Sequence, residues 1–313
     1  MRILVLGGAG FVGRHTVAAM LSRGHDVVIG TRDPQRAERR VPTEAWGCQR
    51  CAVRFEQLLA PAAWRSLIAD IDVVINCVGI LRPRGAETYE RVHHLAPAAL
   101  AQACSTLGVR RLLHISALGL DRVMSSGFVN SKRRGETAVL ARFSDCVVVR
   151  PSLLDGVDGF GARWLRRVAR SPVHVVPNSA IGRIAPLHVE ALAGALVGLC
   201  ELPLGAARRE VELGGTKSMT IRAYLAALRV DELGLAASRA TVVEIPHWLA
   251  RIGSHVCDLL HVTPFSFGHL ELMRHDNVPR NNSLPRLLTP GKRCAMQWLD
   301  PQSASVQPLG AAR

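Results

Sequence analysis

Residues 1–17 read MRILVLGGAGFVGRHTV, and this stretch decides the fold. The apolar run at 3–6 reads as a buried parallel strand and the periodic run at 11–21 as a helix, with Gly7, Gly8 and Gly10 in the turn between them. The spacing Gly7, Gly10, Gly13 has a physical meaning in that context. The first glycine permits the turn, the second lets the backbone approach a pyrophosphate, and the third lets helix lie close on strand. An anion there meets the free N–H groups and dipole of a helix N-terminus, so Phe11 and Val12 join the glycines as expected cofactor contacts.

Strand and helix patterns alternate onward from this turn. Strands are read at 26–30 (DVVIG), in QRCAV, at 72–79 (DVVINCVG), at 110–119 (RRLLHISALG) and at 146–152 (CVVVRPS), with helices at 60–68, 97–107 and 130–141. That order predicts an α/β protein with a doubly wound parallel sheet, a Rossmann arrangement, and a smaller C-terminal lobe. The expected division is a dinucleotide-binding core over 1–152, a substrate-side lobe over 153–276 interleaved with it, and a loosely packed tail over 277–313. The apolar stretch EIPHWLARIGSHVCDLLHVTPFSFGHLELM reads as core helices of that lobe, with membrane or complex attachment as the alternative.

Composition narrows the function. The chain has 313 residues, 48% hydrophobic and 20% charged, which suits an ordinary globular protein. Its net charge of +14 invites a nucleic-acid reading, but only Lys132, Lys217 and Lys292 are lysines and the arginines are spread along the chain. Aromatic residues make up 4%, too few for stacking platforms, so nucleic acid is not the expected partner and the basic surface is read as one that attracts anions. No apolar run approaches the roughly 20 residues of a membrane span, and the N-terminus has no signal-peptide layout, so the expected location is the cytoplasm. The eight cysteines are scattered, and the pair Cys48 and Cys51 has neither a second pair nor nearby histidines, so no metal site is expected. His93 and His94 read as part of a helix start.

In combination, GGAGFVGRH, VINCVGIL, YERVHHLAPAALAQAC, GVRRLLHISALG, SKRRGETAV, VVVRPS and APLHVEALA resemble the short-chain dehydrogenase/reductase superfamily in its extended or atypical branch. The likeness is greatest to relatives of the nucleotide-binding accessory subunit of respiratory complex I. It implies a nicotinamide dinucleotide as ligand, a respiratory or membrane-associated complex as partner, and attachment at the periphery of the inner membrane. At the end of the second strand, an acidic residue would hold the ribose of NAD, whereas an arginine accommodates the 2′-phosphate of NADP. This chain has Arg32 there and Arg14 after the third glycine, so a clamp of two guanidiniums and a preference for NADP(H) over NAD(H) are expected. The resemblance places Gln57 where relatives carry an adenine-binding aspartate, with Leu58 beside it. It also implies that Asn76 and Gly79 shape a turn under the cofactor and that the backbone of Cys77 and Val78 lines the ribose and pyrophosphate.

Active members of the superfamily use a serine, a tyrosine and a lysine four residues after the tyrosine, the lysine lowering the phenol pKa and binding the nicotinamide ribose. Here Lys132 is present, but the matching residues are Phe128 for the tyrosine and Ala117 for the serine, with Ser116 one place away. Tyr89 and Tyr224 lie in segments that do not map to this site. The implied function is a dinucleotide-binding protein with degenerate catalysis and a structural, redox-sensing or complex-associated role. The alternative is an NADP-dependent reductase of a carbonyl or quinone-like substrate that works through Lys132.

Overall fold

The computed structural model describes residues 1–121, 125–203, 209–234, 239–260 and 263–288. Cys294, Lys292 and the part of the expected tail beyond 288 lie outside the described residues. The first half builds β1 (Arg2–Leu6), α1 (Phe11–Leu21), β2 (Asp26–Thr31), α2 (Pro34–Ala37), β3 (Arg50–Ala52), α3 (Arg65–Ile68), β4 (Val73–Asn76), α4 (Ala96–Leu107), β5 (Arg111–Ile115), α5 (Gly127–Arg142) and β6 (Cys146–Pro151). Then follow β7 (Leu154–Asp155), α6 (Phe160–Arg170), β8 (Val173–Pro177), β9 (Arg183–Ile184), β10 (Leu187–His188), α7 (Val189–Glu201), β11 (Glu210–Leu213), β12 (Met219–Thr220), α8 (Ile221–Leu233), β13 (Thr241–Ile245), α9 (His247–Leu260), α10 (Phe267–Met273) and α11 (Leu284–Leu287).

Seven strands form one parallel sheet in the order β11-β6-β5-β4-β1-β2-β3. Because β2 and β4 flank β1 on opposite sides, the winding direction reverses there, and a crevice opens at the carboxyl ends of β1 and β4. Strand alternation divides the core cleanly. Ile3, Val5, Ile29, Ile75 and Val149 face α1 and α7, while Leu4, Leu6, Val28, Val74 and Val148 face α4 and α5. A separate apolar cluster around Tyr224, Leu225, Leu165 and Val176 joins α6, α8 and β8 in the C-terminal half.

Two departures from the sequence reading have physical causes. The helix expected over 60–68 is a 3-10 turn at Pro61–Trp64 followed by the single turn of α3, because the Trp64 indole, fully buried, donates to the Leu58 carbonyl and anchors the segment. His93 and His94 lie at a helix start, as read, in a π-helical segment, Glu90–Leu95, that runs into α4. Residues 277–288 are not loose. Asn277 donates from its backbone to Arg183 and from its amide to Leu118, Asn282 donates to Gly214, and Leu284 and Leu288 insert into the core beside α7. The polar residues that suggested a loop are the ones that tie this segment across the sheet edge.

Candidate functional site

The turn after β1 is built around contact with the chain leaving β4. Gly7 has a φ of +73° and lies so close to Cys77 and Val78 that an added Cβ would come within 3.2 to 3.3 Å of them. Gly13 is under a harder constraint, since a Cβ there would sit 2.1 Å from the Gly7 carbonyl oxygen. This is the close helix-to-strand approach. Gly8, which the spacing argument does not use, is also confined, its Cβ position lying 2.9 Å from Ile29 Cγ2. Gly10 is different. Its Cβ would meet only the Gly7 carbonyl, at 3.0 Å, and beyond that lies open space. Gly10 is also the N-cap of α1 and offers no side-chain cap, so the first-turn N–H groups around Phe11 and Val12 stay available to an anion. The Phe11 ring packs on the backbone of Gly156 and Gly159, which fixes the start of α1 against the loop after β7.

The two arginines expected to share a phosphate go to different carboxylates. Arg14 is held by Asp158, donating to its carbonyl at 3.0 Å and pairing with its carboxylate, which His15 also contacts at 3.1 Å. Arg32 meets both oxygens of Glu87 at 2.6 and 2.8 Å and is largely exposed. Arg14 is thus tied to the loop after β7 and Arg32 to the loop after β4, each guanidinium on its own carboxylate. Asp33, the next residue, accepts from the Arg36 N–H and caps α2, so its carboxylate is already engaged. Gln57 is exposed and Leu58 half-buried; beside them Glu56 is buried with one carboxylate oxygen lacking a hydrogen-bond partner.

The turn after β4 is shaped by Asn76. Its Oδ1 accepts from the Val78 N–H at 3.0 Å, and its amide nitrogen lies 3.0 Å from His114 Nδ1. The amide donates, so His114 accepts at Nδ1 and keeps its proton on Nε2. Lys132 reaches this turn from α5, its Nζ 3.7 Å from the Cβ position of Gly79. A lysine and a glutamate at i and i+4 commonly pair on a helix, but Glu136 is buried and spent on Arg150, whose Nε and Nη2 both donate to it. Burial therefore dominates at Lys132 and pulls its pKa down to about 8, against a weaker upward effect of Glu136. Burial, then the neighbouring Lys132 charge, hold His93 and His114 neutral, His114 down to about 3.

Phe128, at the tyrosine's place, is enclosed by aromatic rings. Tyr89 lies 6.0 Å away edge-on, His93 5.6 Å edge-on and His269 6.0 Å in a stacked geometry, while Lys132 Nζ sits 5.7 Å from the ring centre. Ala117 packs into the same cluster, and Ser116 is buried with its hydroxyl lacking a partner. The placement of Tyr89 corrects the sequence reading. Tyr89 stacks on His93 one turn further along the same helical segment, and the packing of that segment on α5 sets both rings against Phe128. The Tyr89 phenol donates to the Leu81 carbonyl at 2.7 Å, and burial pushes its pKa up to about 12, so it keeps its proton. Tyr224 sits in the other apolar cluster.

His93 completes the arrangement and was not singled out as a site residue. Its Nε2 accepts from the Ile80 N–H at 3.1 Å, which places its proton on Nδ1, directed at Ser131 Oγ 3.0 Å away; Ser131 in turn donates to the Phe128 carbonyl. The only hint in the sequence is a histidine at a buried helical position. Cys48 and Cys51 are free thiols whose pKa burial raises, and no group of potential metal ligands occurs among the described residues.

Comparison with known proteins agrees with this geometry. The profile of the NAD dependent epimerase/dehydratase family matches residues 3–120. A Caulobacter vibrioides protein named ceramide reductase is 32% identical over 64% of this chain and 62% of its own length. The mitochondrial NADH-ubiquinone oxidoreductase 40 kDa subunit of Neurospora crassa is 28% identical over 59% of this chain and 48% of its own. The chain thus spans about half to three-fifths of the length of these curated relatives. Among solved structures, a Thermus thermophilus UDP-glucose 4-epimerase complex with NAD superposes with a TM-score of 0.60 at 18% identity, covering 79% of this chain and 86% of that one. Over residues 3–120 the chain is similar to the NAD dependent epimerase/dehydratase family, and its parallel sheet has the fold of the NAD-bound epimerase.

Proposed function

We propose that the protein binds NADP(H) across the crevice between β1 and β4 and does not carry out tyrosine-based hydride chemistry, holding the dinucleotide for a structural or redox-sensing role in a respiratory or membrane-associated complex. The observation that carries this reading is Phe128, a ring with no proton to give, buried among Tyr89, His93 and His269. The uncapped N-terminus of α1 and the open space at Gly10 fit a pyrophosphate, and Lys132 beside Gly79 fits a ribose hydroxyl. Arg32, with Asp33 already spent on capping, supports the 2′-phosphate over a bare ribose. Relatives named as respiratory-complex subunits support the assembly role.

A second reading rests on Lys132. A bound nicotinamide supplies or accepts a hydride. With its pKa about 8, the Lys132 ammonium is protonated at neutral pH and can deliver a proton to a carbonyl oxygen, becoming a neutral amine, while the hydride that completes the alcohol would come from the dinucleotide. The relative named ceramide reductase favours this alternative. One experiment separates the two: NADPH oxidation by the purified protein against aldehydes, ketones and quinones, with Phe128→Tyr and Lys132→Met alongside. Under the first reading wild type shows no substrate-dependent oxidation. Robust turnover, lost in Lys132→Met while nucleotide remains bound, overturns it and installs the second.

A further inference from the structure

The stretch read as core helices of the lobe divides in two. In α10, Leu270 is fully buried, but α9 presents an apolar stripe to solvent: Trp248, Ile252, Val256 and Leu259 follow one another on one face, 47 to 78% exposed. Ala250 and Ser254 form its buried side. Beside it, the strand pair β8 and β13 exposes Val175 and Val243. Between these elements and α6 and α8 lies an apolar cavity of about 230 Å³, whose lining includes Val175 and Leu249, residues that also belong to the exposed face. The cavity therefore continues the surface inward. It is smaller than the roughly 300–1,000 Å³ of pockets for drug-sized ligands, a size that suits part of one hydrocarbon chain.

Charge identifies what covers this face. The carboxylates on these elements are engaged, Asp258 with Arg82 and Glu244 with Arg222. Arg251 and Arg239 remain exposed, with no carboxylate partner among the described residues. A second copy of this chain, also carrying a net +14, would bring like charge to like charge. An anionic lipid surface supplies both the apolar depth for the α9 stripe and the sign opposite to Arg251 and Arg239. We propose that α9, with β8 and β13, is a docking surface for an anionic bilayer, and that the cavity beneath admits a segment of a lipid chain. This assignment goes beyond the function proposed above and rests on this face alone, independently of the dinucleotide site.

The test is flotation of the full chain with vesicles of phosphatidylcholine alone and of phosphatidylcholine mixed with phosphatidylglycerol. Wild type should float with the mixed vesicles and much less with the neutral ones. Arg251→Ala and Arg239→Ala should each weaken binding about fivefold, the equivalent of about 1 kcal/mol per basic residue near such a surface. Trp248→Glu with Ile252→Glu, both exposed positions, should abolish it while NADPH binding stays at the wild-type level, which controls for folding. Quenching of wild-type tryptophan emission by brominated lipid chains checks insertion without any mutation. The proposal fails if wild type ignores the anionic vesicles, if the double variant still floats, or if the face instead supports a concentration-dependent dimer that Ile252→Glu dissolves.

Discussion

At the scale of single residues, the site turns on which charges are already spoken for. Glu136 belongs to Arg150, so Lys132 is left to burial, and its pKa falls to about 8 from the ordinary 10.5. Below about pH 8 both folded and unfolded chains carry the charged amine, and the folded state bears the cost of burying it. Between about pH 8 and 10.5 the unfolded chain binds more protons, so this group makes stability rise with pH. Lys132→Met should therefore be more stable than wild type at pH 7 and show a flatter rise above pH 8 in denaturant titrations. Equal slopes would mean that the amine is not buried as described. For the cofactor, Arg32→Ala should weaken NADPH by about 1.5–3 kcal/mol, the worth of a hydrogen bond to a charged group, and leave NADH nearly unchanged. Arg14→Ala should not discriminate between the two nucleotides, because its guanidinium is held by Asp158. Calorimetric affinities for the four combinations decide this.

At the scale of elements, the glycines of the first turn separate structure from binding. Gly13→Ala pushes a methyl against the Gly7 carbonyl and should cost about 1–3 kcal/mol or more, as overpacking does, with a visible fall in Tm. Gly10→Val touches only the Gly7 carbonyl before reaching open space next to the α1 N-terminus, so it should lower Tm less than Gly13→Ala while dinucleotide binding is lost. A Gly10→Val protein that still binds NADPH with unaltered affinity would displace the phosphates from this turn. The strands of this first half were legible because parallel strands buried on both faces read as continuous apolar runs. The stretch 60–68 is helical but splits into a 3-10 turn and one α-turn, with Trp64 and Ile68 buried one turn apart and the Trp64 indole bonded to the Leu58 carbonyl.

At the scale of the whole molecule, Arg82 ties the loop after β4 to the C-terminal half. Its side chain is 8% exposed, pairs with Asp258 at 2.7 Å and also donates to the carbonyls of Thr263 and Phe265. It thereby anchors the link between α9 and α10, and α10 in turn packs His269 onto Phe128. Arg82→Ala should release this unit ahead of the sheet. Hydrogen exchange should show lost protection over 247–273 with the strands β1, β4 and β5 unchanged. Uniform loss across the sheet would mean that the two halves unfold as one.

The sequence by itself determined what depends on local pattern: the alternating strands and helices, the glycine turn, and the absence of a phenol and a hydroxyl at Phe128 and Ala117. Those features are carried by residues close together in the chain, so periodicity and spacing reveal them. Only the tertiary structure decided which partners meet. It brought Tyr89 and His93 onto Phe128, sent Arg14 to Asp158, drew Asn277 and Leu284 into the core edge and left α9 with an uncovered apolar face. Each of these contacts joins residues far apart in sequence, and each is selected by which neighbour satisfies a buried charge or covers an apolar surface. Those neighbours are set by how the chain returns on itself.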